Sequence, residues 1–226
     1  MYSRTELLIG EENVQKLKNA KVLIVGLGGV GGFVLESLVR CGIGELGLCD
    51  FDTVDITNKN RQILALDSTI GKKKTEVAKA RALDINPDCK ITVFDIKLTE
   101  ENINELNLIK WDYVAECIDD VKAKMALIKT CKASNTKVIS SMGTGNKLDS
   151  SQFRIVDINK TENDRLARSV RKASRESGLK FDVLYSNESP IQDNVEIIPT
   201  ISYMPAIAGL KISEFIIKKL IDFSID

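Results

Sequence analysis

The chain is expected to fold as an α/β protein, a doubly wound and mostly parallel sheet with an antiparallel C-terminal extension. Three observations lead there: short continuous apolar runs, helical patterns that alternate with them as far as residue 141, and a change of pattern beyond it. The run 22–25 is apolar and rich in β-branched residues, as suits a strand covered on both faces. It enters a turn in which Gly26, Gly28 and Gly31 give the G-x-G-x-x-G spacing, with Gly29 inside it. The first glycine permits the tight turn, the second lets the backbone approach a phosphate, and the third lets the next helix pack close to the strand. Free N–H groups at that helix start would face an anion. This strand, turn and helix make a Rossmann-like unit.

The remaining elements follow in order. Residues 45–49 read as a second strand ending at Asp50, about 20 residues past the glycines, where a carboxylate suits a ribose hydroxyl. An irregular stretch covers 51–70, and a helix over 72–86 stops at Pro87. Strands are expected at 90–95, 111–117 and 137–141, with a helix over 121–134 between the last two. Right-handed crossovers place the C-terminal ends of these strands along one edge. Gly26, Asp50, Asp119 and Ser140 should therefore converge on one crevice. Past 141, strands at 152–158 and 181–185 flank a polar helix over 162–177, a loop follows at 186–199, and an amphipathic helix over 205–223 closes the chain. One domain is expected, with a nucleotide-binding core over 1–141 and an extension over 142–226.

Composition excludes several functions. The 226 residues contain no histidine, which removes Ser-His-Asp and Cys-His catalysis. Thirty-two basic residues balance 32 acidic ones, so nothing draws the chain generally to DNA or other nucleic acid. The five cysteines, Cys41, Cys49, Cys89, Cys117 and Cys131, form no C-x-x-C pair, so neither a disulfide framework nor a zinc site is expected. No export signal or 18-residue apolar run is visible, so a cytoplasmic protein with no membrane element is expected.

The stretch 50–74 separates one nucleotide from another. Asp50 and Asp52 are followed by Asn58, Asn60, Arg61 and Gln62, and then by Gly71-Lys72-Lys73-Lys74. A simple dehydrogenase needs no such cluster beside its ribose carboxylate, whereas a triphosphate under attack does. Position 66 is leucine where a Walker P-loop requires glycine. Asp119-Asp120 follows the fourth strand and faces the phosphate end of the crevice; magnesium takes one or two carboxylates with phosphate oxygens and water. Either carboxylate also suits a cap on the helix that begins near Val121.

Taken together, Gly26-x-Gly-Gly-x-Gly31, Asp50-Phe-Asp52, Asn58-x-x-Arg61-Gln62, Lys74 and Asp119 resemble the ATP-binding signature of the ubiquitin-activating superfamily, whose bacterial members include MoeB and ThiF. The resemblance implies adenylation of a carboxylate, with Asp50 on the ribose, Asn58, Arg61 and Lys74 on the phosphates, and Asp119 on magnesium. It also implies a homodimer in which Arg4 reaches the partner subunit's ATP. Members that activate sulfur carriers usually hold two C-x-x-C pairs for zinc and often a later cysteine; here no cysteine follows Cys131. That departure argues against a persulfide or thioester intermediate. Ser141-Met-Gly143-x-Gly145, Val156-Asp-Ile158, Lys160-Thr161 and Asp164-x-Leu166-Ala167-x-x-x-Arg171 instead resemble the tRNA threonylcarbamoyladenosine dehydratase branch, with Arg165 where that branch commonly has proline. The implied reaction is adenylation of the threonyl carboxylate of the modified tRNA, followed by cyclisation. A tRNA partner would use the basic face formed by Arg165, Arg168, Arg171, Lys172 and Arg175; a solvated helix face fits the same pattern. The alternatives are adenylation of the Gly-Gly end of a ubiquitin-like sulfur carrier, a NAD-dependent oxidoreductase, and an idle nucleotide-binding module.

Overall fold

Seven strands form one sheet in the order β3-β2-β1-β4-β5-β7-β6 in the computed structural model, which describes residues 2–223. They are β1 (Lys21–Val25), β2 (Glu45–Cys49), β3 (Lys90–Phe94), β4 (Tyr113–Glu116), β5 (Lys137–Ser141), β6 (Phe153–Asp157) and β7 (Asp182–Ser186). β1 to β5 pair in parallel. The antiparallel extension is present but confined to β6: β7 pairs in parallel with β5 and antiparallel with β6. β6 and the helix after it therefore make up the crossover that returns β7 to the parallel sheet.

The helices are α1 (Ser3–Ile9), α2 (Glu11–Asn19), α3 (Gly31–Arg40), α4 (Lys74–Ile85), α5 (Val121–Ala133), α6 (Arg165–Glu176) and α7 (Tyr203–Leu220). Because successive strand residues point to opposite faces, Val22 and Ile24 join the core under α3, α4 and α7, while Leu23 and Val25 join the one under α5 and α6. Both faces are covered, and the strands read as continuous apolar runs for that reason. α4 ends where Asn86 turns extended before Pro87. The helix expected from residue 162 begins at Arg165, because the Asp164 side chain accepts from the Ala167 N–H at 2.6 Å and caps it there.

Two features were not visible in the sequence. α1 and α2 precede β1, and α1 buries none of its residues. In α7 the buried stripe is Met204, Ala208, Gly209, Ile212, Ser213 and Ile216. Among the large apolar residues of this helix, Ile207, Ile217 and Leu220 pack at the margin of the stripe and Leu210 is exposed. The close contact is made by small residues: a methyl group at Gly209 would lie 2.5 Å from the Val30 carbonyl oxygen just before α3.

Candidate nucleotide site

The parallel strands end in register, Cys49 beside Val25, Val25 beside Glu116 and Glu116 beside Ser140. Strand order reverses between β1 and its neighbours β2 and β4, which opens a crevice at the carboxyl edge. The segments that begin at Gly26, Asp50 and Cys117 all leave the sheet there. Ser140 belongs to the same edge but lies fully inside it, so it does not line the crevice as expected.

Each glycine of the turn has a separate physical reason. Gly26 has φ +91°, and a methyl group on it would meet the Cys117 carbonyl oxygen at 2.8 Å. One on Gly31 would lie 1.8 Å from the Gly26 carbonyl oxygen. At Gly28, by contrast, the nearest atom would be Gln62 Nε2 at 3.9 Å, so the backbone there faces open space. A methyl group on Gly29 would lie 3.1 Å from Pro205 Cβ of α7 and 3.5 Å from Arg61 Cγ. Among the described residues the N–H groups of Gly28, Gly29 and Val30 find no protein acceptor, the condition for an anion cradle. Gln62 Oε1 is also buried without a partner. A polar ligand in this turn would satisfy groups that are otherwise costly to leave unmade.

Asp50 and Asp52 hold this turn together. Asp50 Oδ2 accepts from the Leu27 N–H at 2.6 Å and Oδ1 from the Asp52 N–H at 2.8 Å. Asp52 Oδ2 in turn binds Lys74 Nζ at 2.9 Å. The irregular stretch before Lys74 is closed on itself: Val54 N–H donates to the Lys72 carbonyl, Gly71 N–H to the Val54 carbonyl, and Thr53 bridges Lys73. Lys74 thus opens α4 with its side chain buried beside Asp52. Asn58 is buried too, its Oδ1 accepting from the Asp55 N–H at 3.1 Å in a reciprocal cap of the turn 56–58. Arg61 donates through one nitrogen to the Thr57 carbonyl at 2.9 Å and to Asn60 Oδ1 at 2.8 Å. Its other N–H groups have no partner among the described residues.

The two aspartates after β4 divide their work. Asp120 Oδ1 accepts from the Ala123 N–H at 2.7 Å and caps α5. Asp119 is exposed and makes no hydrogen bond or ion pair among the described residues. Arg4 is exposed on α1, likewise without a partner among them. On α6, Arg165, Arg168 and Lys172 are exposed, but Arg171 turns inward and donates to the carbonyl and Oγ1 of Thr161. Arg175 donates to Asn159 Oδ1 at 3.3 Å. Arg171 therefore leaves the basic face that the sequence assigned to it, because it ties α6 to the preceding turn.

Two buried lysines escaped notice in the sequence. Lys147 Nζ binds Asp164 Oδ2 at 3.0 Å and the Ser186 carbonyl at 2.9 Å. Lys124 binds Glu116, and both are fully buried. The only signal was a glutamate ending a strand otherwise apolar, since a charge at such a place requires a partner.

None of the five thiols is primed for reaction. Burial pushes Cys41 up, Cys89 up to about 11 and Cys49 and Cys131 each up to about 12, and it raises Cys117 further still. A nucleophilic cysteine needs the reverse shift.

A model of the ThiF family matches residues 2–225. The chain belongs to this family. Among curated ThiF relatives, the tRNA threonylcarbamoyladenosine dehydratase of Bacillus subtilis (strain 168) is 44% identical over 192 residues, 84% of this chain and 76% of the relative. The enzyme of that name from Haemophilus influenzae is 42% identical over 73% of this chain and 63% of its own length. The crystal structure of the E. coli tRNA N6-threonylcarbamoyladenosine dehydratase in complex with ATP superposes with a TM-score of 0.92 at 32% identity, covering 98% of this chain and 93% of that one.

Proposed function

We propose that this ThiF-family protein is an ATP-dependent enzyme that adenylates the threonyl carboxylate of tRNA N6-threonylcarbamoyladenosine and closes it into a ring. The observation that carries this reading is the likeness over nearly the whole chain to a dehydratase solved with ATP. The carboxylate attacks the α-phosphate and pyrophosphate leaves; the carbamoyl nitrogen then attacks the acyl carbon and AMP leaves. No protein nucleophile is required, which fits a chain without histidine and with only raised thiols. Positioning and charge stabilisation supply the rate.

In this reading the turn Gly26, Gly28, Gly29 and Gly31 holds phosphate through its free N–H groups, with Asp50 and Asp52 on the ribose side. Asn58, Arg61, Gln62 and Lys74 face the triphosphate. Asp119 holds magnesium, which neutralises charge on the phosphates when bound, and Asp120 remains the cap of α5. One carboxylate with phosphate oxygens suffices for magnesium; among the described residues there is no group of three or more acidic, cysteine or histidine side chains that would form a fuller cage. Residues 1–226 act as one adenylation domain in a cytoplasmic homodimer, with Arg4 serving the partner's ATP. Leu7 and Leu8 of α1 are 89% and 84% exposed, which supports a subunit contact at that helix.

Pyrophosphate release decides between acceptors. It is expected to rise with tRNA carrying the threonylcarbamoyl group and not with a protein ending in Gly-Gly; the reverse would transfer the assignment to sulfur-carrier activation. α6 starts at the carboxyl edge beside the end of β7, where Lys147 joins Asp164 to the Ser186 carbonyl, so Arg165, Arg168, Lys172 and Arg175 can follow a polyanion that extends along that edge from the crevice. Reversing Arg168 and Arg175 to Glu is expected to weaken tRNA binding and to flatten its salt dependence by roughly one unit for each phosphate no longer neutralised. Unchanged binding in a filter assay would remove tRNA from this face.

A further inference from the structure

Glu116, Lys124 and Ser140 lie beneath the crevice with no exposed surface at all. They come from the end of β4, the first turn of α5 and β5. Lys124 Nζ donates to Glu116 Oε2, to Ser140 Oγ at 3.2 Å and to the Ser141 carbonyl at 2.9 Å, so its three protons are all used. Ser140 Oγ donates to the same Glu116 oxygen. The other oxygen, Oε1, accepts from the Ile118 N–H at 2.8 Å.

Stability alone does not account for this group, because well-packed apolar side chains of similar volume often replace a buried ion pair without destabilising the fold. What an apolar trio lacks is an acceptor for the Ile118 N–H. That hydrogen bond turns the chain out of β4 and fixes Cys117 and Ile118, the wall on which Gly26 rests: a methyl group at Gly26 would meet the Cys117 carbonyl oxygen at 2.8 Å and Ile118 Cγ2 at 3.0 Å. Two residues later Asp120 is anchored as the cap of α5. Asp119 is thereby held between two fixed neighbours. We propose that Glu116, kept in place by Lys124 and Ser140, is a positioning residue for adenylation: it sets the turn that presents Asp119 and backs the glycine turn that receives the phosphates.

This inference rests on the proposed reaction, and its test separates the two. Two neutral pairs differ in whether an acceptor for Ile118 remains: Glu116→Gln with Lys124→Met keeps one, and Glu116→Leu with Lys124→Met does not. The glutamine pair is expected to unfold thermally near the parent, and the leucine pair some degrees below it, because the Ile118 N–H and Ser140 Oγ lose their acceptor. The leucine pair is expected to lose about 100-fold in ATP–pyrophosphate exchange, the penalty of misplacement by about an ångström. It should also bind ATP with magnesium about tenfold more weakly by calorimetry and lose amide protection at Ile118 in hydrogen exchange; the glutamine pair is expected to keep most of all three. Equal losses in both pairs, or parent-like ATP affinity in the leucine pair, overturn the proposal. If the leucine pair fails to fold, Ser140→Ala decides, since it removes one donor to Glu116 and no charge. It is expected to lower exchange about fivefold, roughly the effect of one hydrogen bond, and parent-like exchange overturns the proposal. Should the parent exchange with no acceptor, the reaction assigned above fails, while ATP affinity and amide protection still judge the positioning role.

Discussion

Arg61→Ala is expected to lower ATP–pyrophosphate exchange by about 10²- to 10³-fold, the usual effect of removing one preorganised group from a developing anion. Its guanidinium is held at one nitrogen by the Thr57 carbonyl and Asn60 Oδ1, and its Cγ would lie 3.5 Å from a methyl group on Gly29. The remaining donors are therefore aimed before any ligand arrives. Such aiming costs no reorganisation during the reaction, so the loss should appear in kcat more than in folding. Asp119→Ala is expected to act on the same scale, with a normal unfolding midpoint, because its side chain supports nothing else among the described residues. Asp120→Ala supplies the contrast: it removes the cap of α5, a decrease of about 1 kcal/mol in stability. Intact exchange in both Arg61→Ala and Asp119→Ala would mean that the nucleotide binds elsewhere.

Lys147→Met is expected to cost about 3–5 kcal/mol, because it leaves Asp164 buried and uncompensated. Both side chains are only 3% exposed, and the Asp164 carboxylate also caps α6. For a domain of this size that is a fall in Tm of roughly 6–20 °C. Combining Lys147→Met with Asp164→Asn removes the stranded charge and keeps a capping oxygen, so much of the stability should return. Urea titration of the two variants measures this directly. A single-variant cost below about 1 kcal/mol would show that water reaches Asp164 and that the pair is not a buried one.

The sheet was legible because strands covered on both faces must be apolar along their covered length, as 22–25 and 46–49 are, and because Pro87 and the glycine turn punctuate the pattern. The crevice followed from topology alone. Side-chain direction was harder to read. Arg171 and Arg168 look alike in sequence, yet only Arg171 meets Thr161, through a turn whose path no periodicity reports. In Val121-Lys-Ala-Lys124 the second lysine reads as helix surface, and its burial depends on a glutamate one strand away. In α7 the large side chains Leu210 and Leu220 stand out in sequence, whereas close packing against α3 uses Gly209 and Ser213, which let the backbones approach.

That last contact has a temporal side. Pro205 at the start of α7 leaves no room for a side chain at Gly29 in the nucleotide turn, and Val30, where α3 begins, leaves none at Gly209. The ribosome makes β1, the glycine turn and α3 first and α7 after every strand of the sheet. A nascent chain therefore carries the glycine turn without its α7 neighbour until α7 emerges and packs on α3.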